Sequence, residues 1–289
     1  MSDYLIRATA FQGKVRAFAA DTRRLVEELR RRHDTTPTAT AALGRTATAS
    51  AMMGAMLKGE EKLTVQIKGG GPIGQIVADA NARGEVRGYV DNPHVDLPLN
   101  AIGKLDVAGA VGTDGFLNII KDLGLKDPYR GSVPLVSGEL AEDFTYYFAK
   151  SEQTPSAVAL GVLVDIDRTV KAAGGFIIQL LPGLSDGEIT SIEAELAKLP
   201  PVTTLLDRGE SVEAILATLL PDVQVLGRME LRFQCQCSKE RVERTLISLG
   251  RDELASILEE DGKAELVCHF CNETYHFDHN DLEQLLRQI

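Results

Sequence analysis

At 289 residues, with 44% hydrophobic and 25% charged side chains, the chain has the make-up of an ordinary soluble globular protein, with room for one substantial core and a smaller module. Its formal net charge of −11 argues against a general nucleic-acid binder, which would carry a basic stripe. The start, Met-Ser-Asp-Tyr-Leu-Ile-Arg, has no signal-peptide pattern, and the longest apolar runs, Ala157–Val164 and Ala172–Leu181, fall short of the ~20 residues that span a bilayer. A cytoplasmic location without membrane association is therefore expected.

The first part reads as mixed α and β. Leu5–Phe11 and Lys14–Ala20 look like paired strands about Gln12-Gly13, and a helix over Asp21–His33 turns Leu25, Val26 and Leu29 inward. From Thr38 to about Leu57 runs an Ala/Thr/Met-rich helix, apolar almost all round and so expected to be buried. Lys62–Lys68 is a strand, and Gly69-Gly70-Gly71-Pro72-Ile73-Gly74 after it matches G-x-G-x-x-G. A dinucleotide site needs a helix at once after that motif. Here Gln75–Asp79 and Glu85–Val90 are strand-like around Asn81–Gly84, so the glycines read as a tight hairpin connection. There is no P-loop, no H-E-x-x-H and no G-x-S-x-G, and the lone His94 sits in a turn-rich loop. No catalytic residue is assigned and no nucleotide is expected.

Further strands are expected at Gly115–Lys121 and Val133–Val136, then a helix capped by Ser137 with Leu140, Phe144 and Phe148 inside. Ser156–Asp165 and Gly175–Leu181 read as buried strands. Together these predict an α+β domain, residues 1–182, with a largely antiparallel sheet and packed helices. Past Pro182 the pattern turns helical over residues 183–228. Ser185-x-x-Glu188 is a capping box opening a helix with Ile189, Ile192, Leu196 and Leu199 on one stripe, ended by Pro200-Pro201. Ser211 opens another with Val212, Ile215, Leu216, Leu219 and Leu220. Docking onto the main domain is the simplest cover for these stripes.

The last stretch, residues 229–289, holds all four cysteines. Met229 to Cys237 alternates like a strand, which would put Cys235 and Cys237 on one face. Cys268 and Cys271 form a C-x-x-C turn between the strand-like runs Ala264–Val267 and Thr274–Phe277. Four sulfurs so spaced suit a closed tetrahedral zinc site. Three other readings compete: four reduced thiols; a thioredoxin-like pair at Cys268/Cys271; and a mixed site of Cys268, Cys271, His276 and His279. The redox pair needs a helix start that Thr-Tyr-His-Phe does not offer, and the mixed site leaves the first couplet unexplained. The tetrathiolate is preferred. Between the couplets, Ser238 caps a helix with Val242, Leu246 and Leu249 inward; a second carries Leu254, Ile257 and Leu258; a last one, from Asp278 or Asn280, carries Leu282, Leu285, Leu286 and Ile289. So small an α/β module is expected to lean on its metal.

C-x-C, thirty residues, then C-x-x-C at the end of a chain of this size resembles the redox-regulated heat-shock holdases, the thirty-three-kilodalton bacterial chaperones. Lys68-Gly-Gly-Gly-Pro-Ile-Gly74 and Ser151-Glu-Gln-Thr-Pro-Ser156 look like that family's sequence too. The resemblance implies an ATP-independent chaperone of the stress response, not an enzyme, that binds unfolding proteins. Its reduced form would hold zinc through Cys235, Cys237, Cys268 and Cys271 and be inactive. Oxidation would form disulfides, release zinc, loosen the module and linker, and yield an active form expected to be a homodimer. Of the three pairings four cysteines allow, Cys235–Cys237 and Cys268–Cys271 cost least in loop closure. The candidate client-binding residues are Ile189, Ile192, Leu196, Leu199, Ile215, Leu216, Leu219 and Leu220. The alternative is a zinc-ribbon module that binds nucleic acid or a protein partner.

Overall fold

The computed structural model describes residues 2–289, which fall into two compact units, one running to Gln234 and the other Cys235–Ile289. The first unit is built on two sheets rather than the one expected. In chain order its elements are β1 (Tyr4–Ala10), β2 (Val15–Asp21), α1 (Arg23–His33), α2 (Pro37–Gly54), β3 (Lys62–Lys68), β4 (Gln75–Asn81) and β5 (Glu85–Val90). There follow α3 (Val107–Val111), β6 (Phe116–Asp122), β7 (Tyr129–Pro134), α4 (Ala141–Lys150), β8 (Ser156–Val164) and β9 (Val170–Leu180). The unit closes with α5 (Asp186–Lys198), α6 (Val202–Asp207), α7 (Val212–Leu219), β10 (Gln224–Glu230) and β11 (Arg232–Phe233). One sheet has the order β10-β1-β2-β9-β8 and is wholly antiparallel; the other is β11-β5-β4-β3-β6-β7, antiparallel except for the short β11–β5 pair.

The two sheets read differently in sequence because they are covered differently. The five-stranded sheet is buried on both faces: Leu5, Phe18, Ala173 and Ile177 enter the core shared with the other sheet, while Tyr4, Ile6, Ala17, Phe176 and Ile178 enter a second core on the far side. Its strands are therefore nearly continuous apolar runs. The six-stranded sheet contributes one face, so β3 alternates, with Leu63, Val65 and Ile67 inward. Helix α2 lies within the first core, buried from Thr38 to Gly54 except at Arg45. Three of its hydroxyls bond within the helix: Thr46, Thr48 and Ser50 donate to the carbonyls of Ala42, Gly44 and Thr46 at 2.8–2.9 Å. At Gly44 a Cβ would lie 2.6 Å from Val26, which is why this helix needs small residues.

Helices α5–α7 cover the second core. Ile192, Val202, Leu205, Val212, Ile215, Leu216, Leu219 and Leu220 are buried there; Ile189, Leu196 and Leu199 are half-buried. The Ser185 capping box forms, and Ser211 caps α7. Helix α6, which no pattern in the sequence announced, is a short turn between Pro201 and Gly209.

The glycine run after β3 leads into β4, not a helix, and a Cβ on Gly71 would sit 2.3 Å from the Ala110 carbonyl of α3. The glycines let two stretches of main chain touch. Ser137 does not cap α4. Leu140 holds the cap position, and the Asp143 carboxylate collects the N–H groups of Val136, Ser137 and Leu140 at 2.6–3.1 Å.

The second unit comprises α8 (Lys239–Ile247), α9 (Arg251–Glu260), β12 (Ala264–Val267), β13 (Thr274–Phe277) and α10 (His279–Leu286). Its fully buried apolar side chains are Leu246, Leu254, Phe277, Leu282 and Leu285, a thin core. Leu249 and Ile289, expected inside, are 49% and 44% exposed. Leu249 lies beyond the end of α8 at Ile247, so the helical periodicity that pointed it inward no longer applies, and Ile247 packs on the core.

Candidate metal centre

The C-x-C couplet does not lie on a strand. The strand begins at Gln224 and pairs with β1, β11 ends at Phe233, the last main-chain bond to β5 is from the Gln234 N–H to the Val86 carbonyl at 3.0 Å, and 235–238 are not in a strand. Alternation alone misled here: it continues past Phe233, but the chain leaves β5 after Gln234 and pairs with no other strand. Cys237 is instead fixed by its neighbour in the chain, since Ser238 is the N-cap of α8, its Oγ accepting from the Arg241 N–H at 3.3 Å.

The second couplet is the turn of the β12–β13 hairpin. Val267 pairs with Thr274, the Cys268 N–H donates to the Glu273 carbonyl at 2.9 Å, and the Asn272 N–H donates to the Cys268 carbonyl at 2.7 Å. Asn272 takes a left-handed φ of 59°, which asparagine tolerates and which folds the turn tightly enough to bring both sulfurs to one side.

The four sulfurs converge. Cys235 Sγ lies 3.8 Å from Cys268 Sγ, Cys237 Sγ lies 3.2 Å from Cys271 Sγ, and all four are within 4.8 Å of one another. These separations exceed the ~2.05 Å of a disulfide, and they bracket the ~3.8 Å edge of a tetrahedron whose metal–sulfur bonds are ~2.3 Å. The array fits a four-coordinate cation. Electrostatics agree: burial and the Cys237 sulfur push the Cys271 thiol up, and burial also raises Cys237. Thiols this crowded resist ionising together unless a cation compensates them.

The histidines stand apart from the cluster. His276 Nδ1 faces Glu265 at 3.2 Å and His279 Nε2 faces Glu283 at 3.5 Å, both on exposed surface. The sequence pattern gave Tyr275 no role. Its hydroxyl hydrogen-bonds the Cys237 sulfur, which opposes the rise of that thiol and raises the tyrosine's own pKa. The signal was present in the alternation of β13, where Tyr275 shares a face with the buried Phe277.

The family model described as Hsp33 protein matches residues 3–278. The chain belongs to the Hsp33 family. It is 60% identical over 287 residues to the 33 kDa chaperonin of Geobacillus kaustophilus, covering 99% of this chain and 98% of that one. To the 33 kDa chaperonin of Bacillus subtilis it is 57% identical over 287 residues, covering 99% of both. The crystal structure of the 33 kDa chaperonin from Thermotoga maritima superposes with a TM-score of 0.93 at 41% identity, over 100% of this chain and 99% of that one. Membership of the Hsp33 family places the chain among chaperones, and among the described residues no helix is long and apolar enough to cross a membrane.

Proposed function

We infer that the chain is a redox-regulated, ATP-independent holdase that carries one zinc ion on Cys235, Cys237, Cys268 and Cys271. The observation that carries this reading is the convergence of four sulfurs, from two couplets thirty residues apart, in a member of a chaperone family. Zinc, when bound, would neutralise the thiolates and staple both couplets into one fold. The second unit's thin core gives it little else to stand on.

The switch rests on the same residues. Thiolates are what oxidants attack. Each disulfide, Cys235–Cys237 or Cys268–Cys271, forms as two thiols lose two electrons and two protons to one peroxide, which leaves as two waters. The donors are then gone, and the second unit loses its staple. The chain passes from β11 into Cys235 through Gln234 alone, so the linker, residues 183–228 between the 1–182 and 229–289 regions, is released next. Ile189, Ile192, Leu196, Leu199, Ile215, Leu216, Leu219 and Leu220, or the sheet face they cover, then become available to unfolding clients. The active form is expected to be a cytoplasmic homodimer that needs no nucleotide. Light scattering of a heat-unfolding client tests the reading: suppression by peroxide-treated, mildly heated protein and not by reduced zinc-loaded protein is expected. Equal suppression by both forms, or by neither, would refute it.

A further inference from the structure

The five-stranded sheet ends on β8, yet β8 is not built as an edge. The other edges of the two large sheets are blunted: β10 carries Arg228 and Glu230, β7 carries Arg130 and Pro134, and β11 is two residues long. Strand β8, Ser-Ala-Val-Ala-Leu-Gly-Val-Leu-Val, has nine residues with no charge and no proline. Both its faces are apolar. Val158, Leu160, Val162 and Val164 pack on the first core; Ala157 and Ala159 pack on the second, and Gly161 meets Thr203 and Val202 of α6. This is the composition of a strand with neighbours on both sides.

Its main chain is directed outward at known positions. The Leu180 N–H donates to the Pro155 carbonyl at 2.9 Å, so with Ser156 opposite Gln179 the odd-numbered residues bond to β9. The N–H and C=O groups of Val158, Leu160 and Val162 therefore face away from the sheet, and β9 is the only strand beside β8 among the described residues. They open into a groove of about 950 Å³ whose floor is β8 itself. One wall is Arg45, Thr145 and the Leu99–Leu105 loop; the other is Leu199–Thr204.

We propose that this groove takes an extended segment of client chain by strand addition to β8. The proposal rests on the holdase reading and supplies the chemistry by which a client is held. An added strand would alternate its side chains between two walls that are mostly apolar, so a largely apolar segment fits on both faces. Folded proteins keep such segments inside, and only a chain that has lost its fold offers one. A second copy fits less well. Its own β8 lies on the floor of the same groove, so the rims meet before the edges close to the ~4.8 Å of paired strands. The lining residues include no carboxylate, and of the two cations Arg45 is already paired with Glu139 at 2.8 Å, so a second copy offers nothing to neutralise Lys104.

The test uses the full-length chain, reduced with zinc and after peroxide and mild heat. The probe is a fluorescent peptide, Glu-Val-Ala-Ile-Val-Leu-Ala-Val-Glu, beside the same peptide with its inner amides N-methylated. N-methylation keeps the side chains and removes the hydrogen bonds. The expected result is binding by the oxidised chain that weakens about tenfold or more on N-methylation, the worth of a few main-chain hydrogen bonds. Val158→Pro, which removes one outward N–H at a position where edge strands accept proline, should weaken the unmethylated peptide as well. If that variant fails to fold, the peptide comparison on the unaltered chain still decides. Equal binding of both peptides, with client aggregation still suppressed, overturns strand addition and leaves the holdase reading intact. Methylation-sensitive binding by a chain that suppresses no aggregation upholds the groove and removes the reading. A dimer that shuts out the peptide assigns the edge to a second copy and also overturns the proposal.

Discussion

Helix α7 holds to the second core through a few side chains, and Leu216 is the one to remove. It is 0% exposed, set among Ile6, Phe176, Ile215 and Leu219. Truncating a buried leucine to alanine costs about 2–5 kcal/mol in transfer and cavity terms. An eight-residue helix has almost no stability of its own in water, so this cost falls on its docking. At 1.4 kcal/mol per factor of ten, Leu216→Ala should speed amide exchange across Val212–Leu219 by roughly 30- to 3,000-fold. Leu216→Glu adds the cost of burying a carboxylate and should undock the helix outright. The assay is hydrogen exchange by mass spectrometry on the reduced, zinc-loaded chain, with β3 and β6 as internal controls. Unchanged exchange in α7, or equal acceleration in β3 and β6, would refute local undocking. If release of the linker is the switch, Leu216→Glu should also suppress client aggregation without oxidation.

Asp3 offers a pH prediction. Its buried carboxylate accepts from the Leu25 and Arg24 N–H groups at 2.6 and 3.1 Å, capping α1 from outside that helix, and burial pushes its pKa up from 3.8 to about 6. A folded-state pKa above the unfolded one means Asp3 favours the fold fully below pH 3.8 and loses this as pH rises through about 6, a swing of about 3 kcal/mol. Asp3→Asn should flatten that part of a denaturation-midpoint profile, and a profile unchanged from the parent would contradict the account. At the metal centre, Cys235→Ser should lower zinc affinity sharply, whereas His276→Ala and His279→Ala leave stoichiometry and affinity as they were; equilibrium dialysis with metal analysis distinguishes them. Chelation under reducing conditions should unfold Cys235–Ile289 and expose residues 183–228 while the sheets of the first unit stay intact, a result readable by limited proteolysis.

The parts of this molecule that were legible in sequence are those in which side-chain type and spacing carry the structure. The four cysteines, the Ser185 capping box and the alternation of β3 are of that kind. What pairs with what was not legible. Strand β10 pairs with β1, over two hundred residues earlier, and its Val225 and Leu226 are 49% and 66% exposed, so nothing in the pattern before Met229 announced a strand. The alternation from Met229 to Cys237 pointed to a longer strand than the fold supplies, because period two records only an extended chain. Helix α6 is too short for a periodicity to declare itself. Strand β8 makes the same point from the other side: its side chains report what covers its faces, and say nothing of its open edge.

The central claim is that loss of the tetrathiolate and gain of chaperone activity are one event. It is tested most directly by following zinc release with a chromogenic chelator, free thiols and client aggregation on one sample during peroxide treatment at mildly raised temperature. The account predicts that one zinc per chain leaves as four thiols are lost, and that aggregation suppression rises no earlier than the zinc signal. Full suppression while zinc remains bound, or complete zinc release and thiol loss without any suppression, would contradict it.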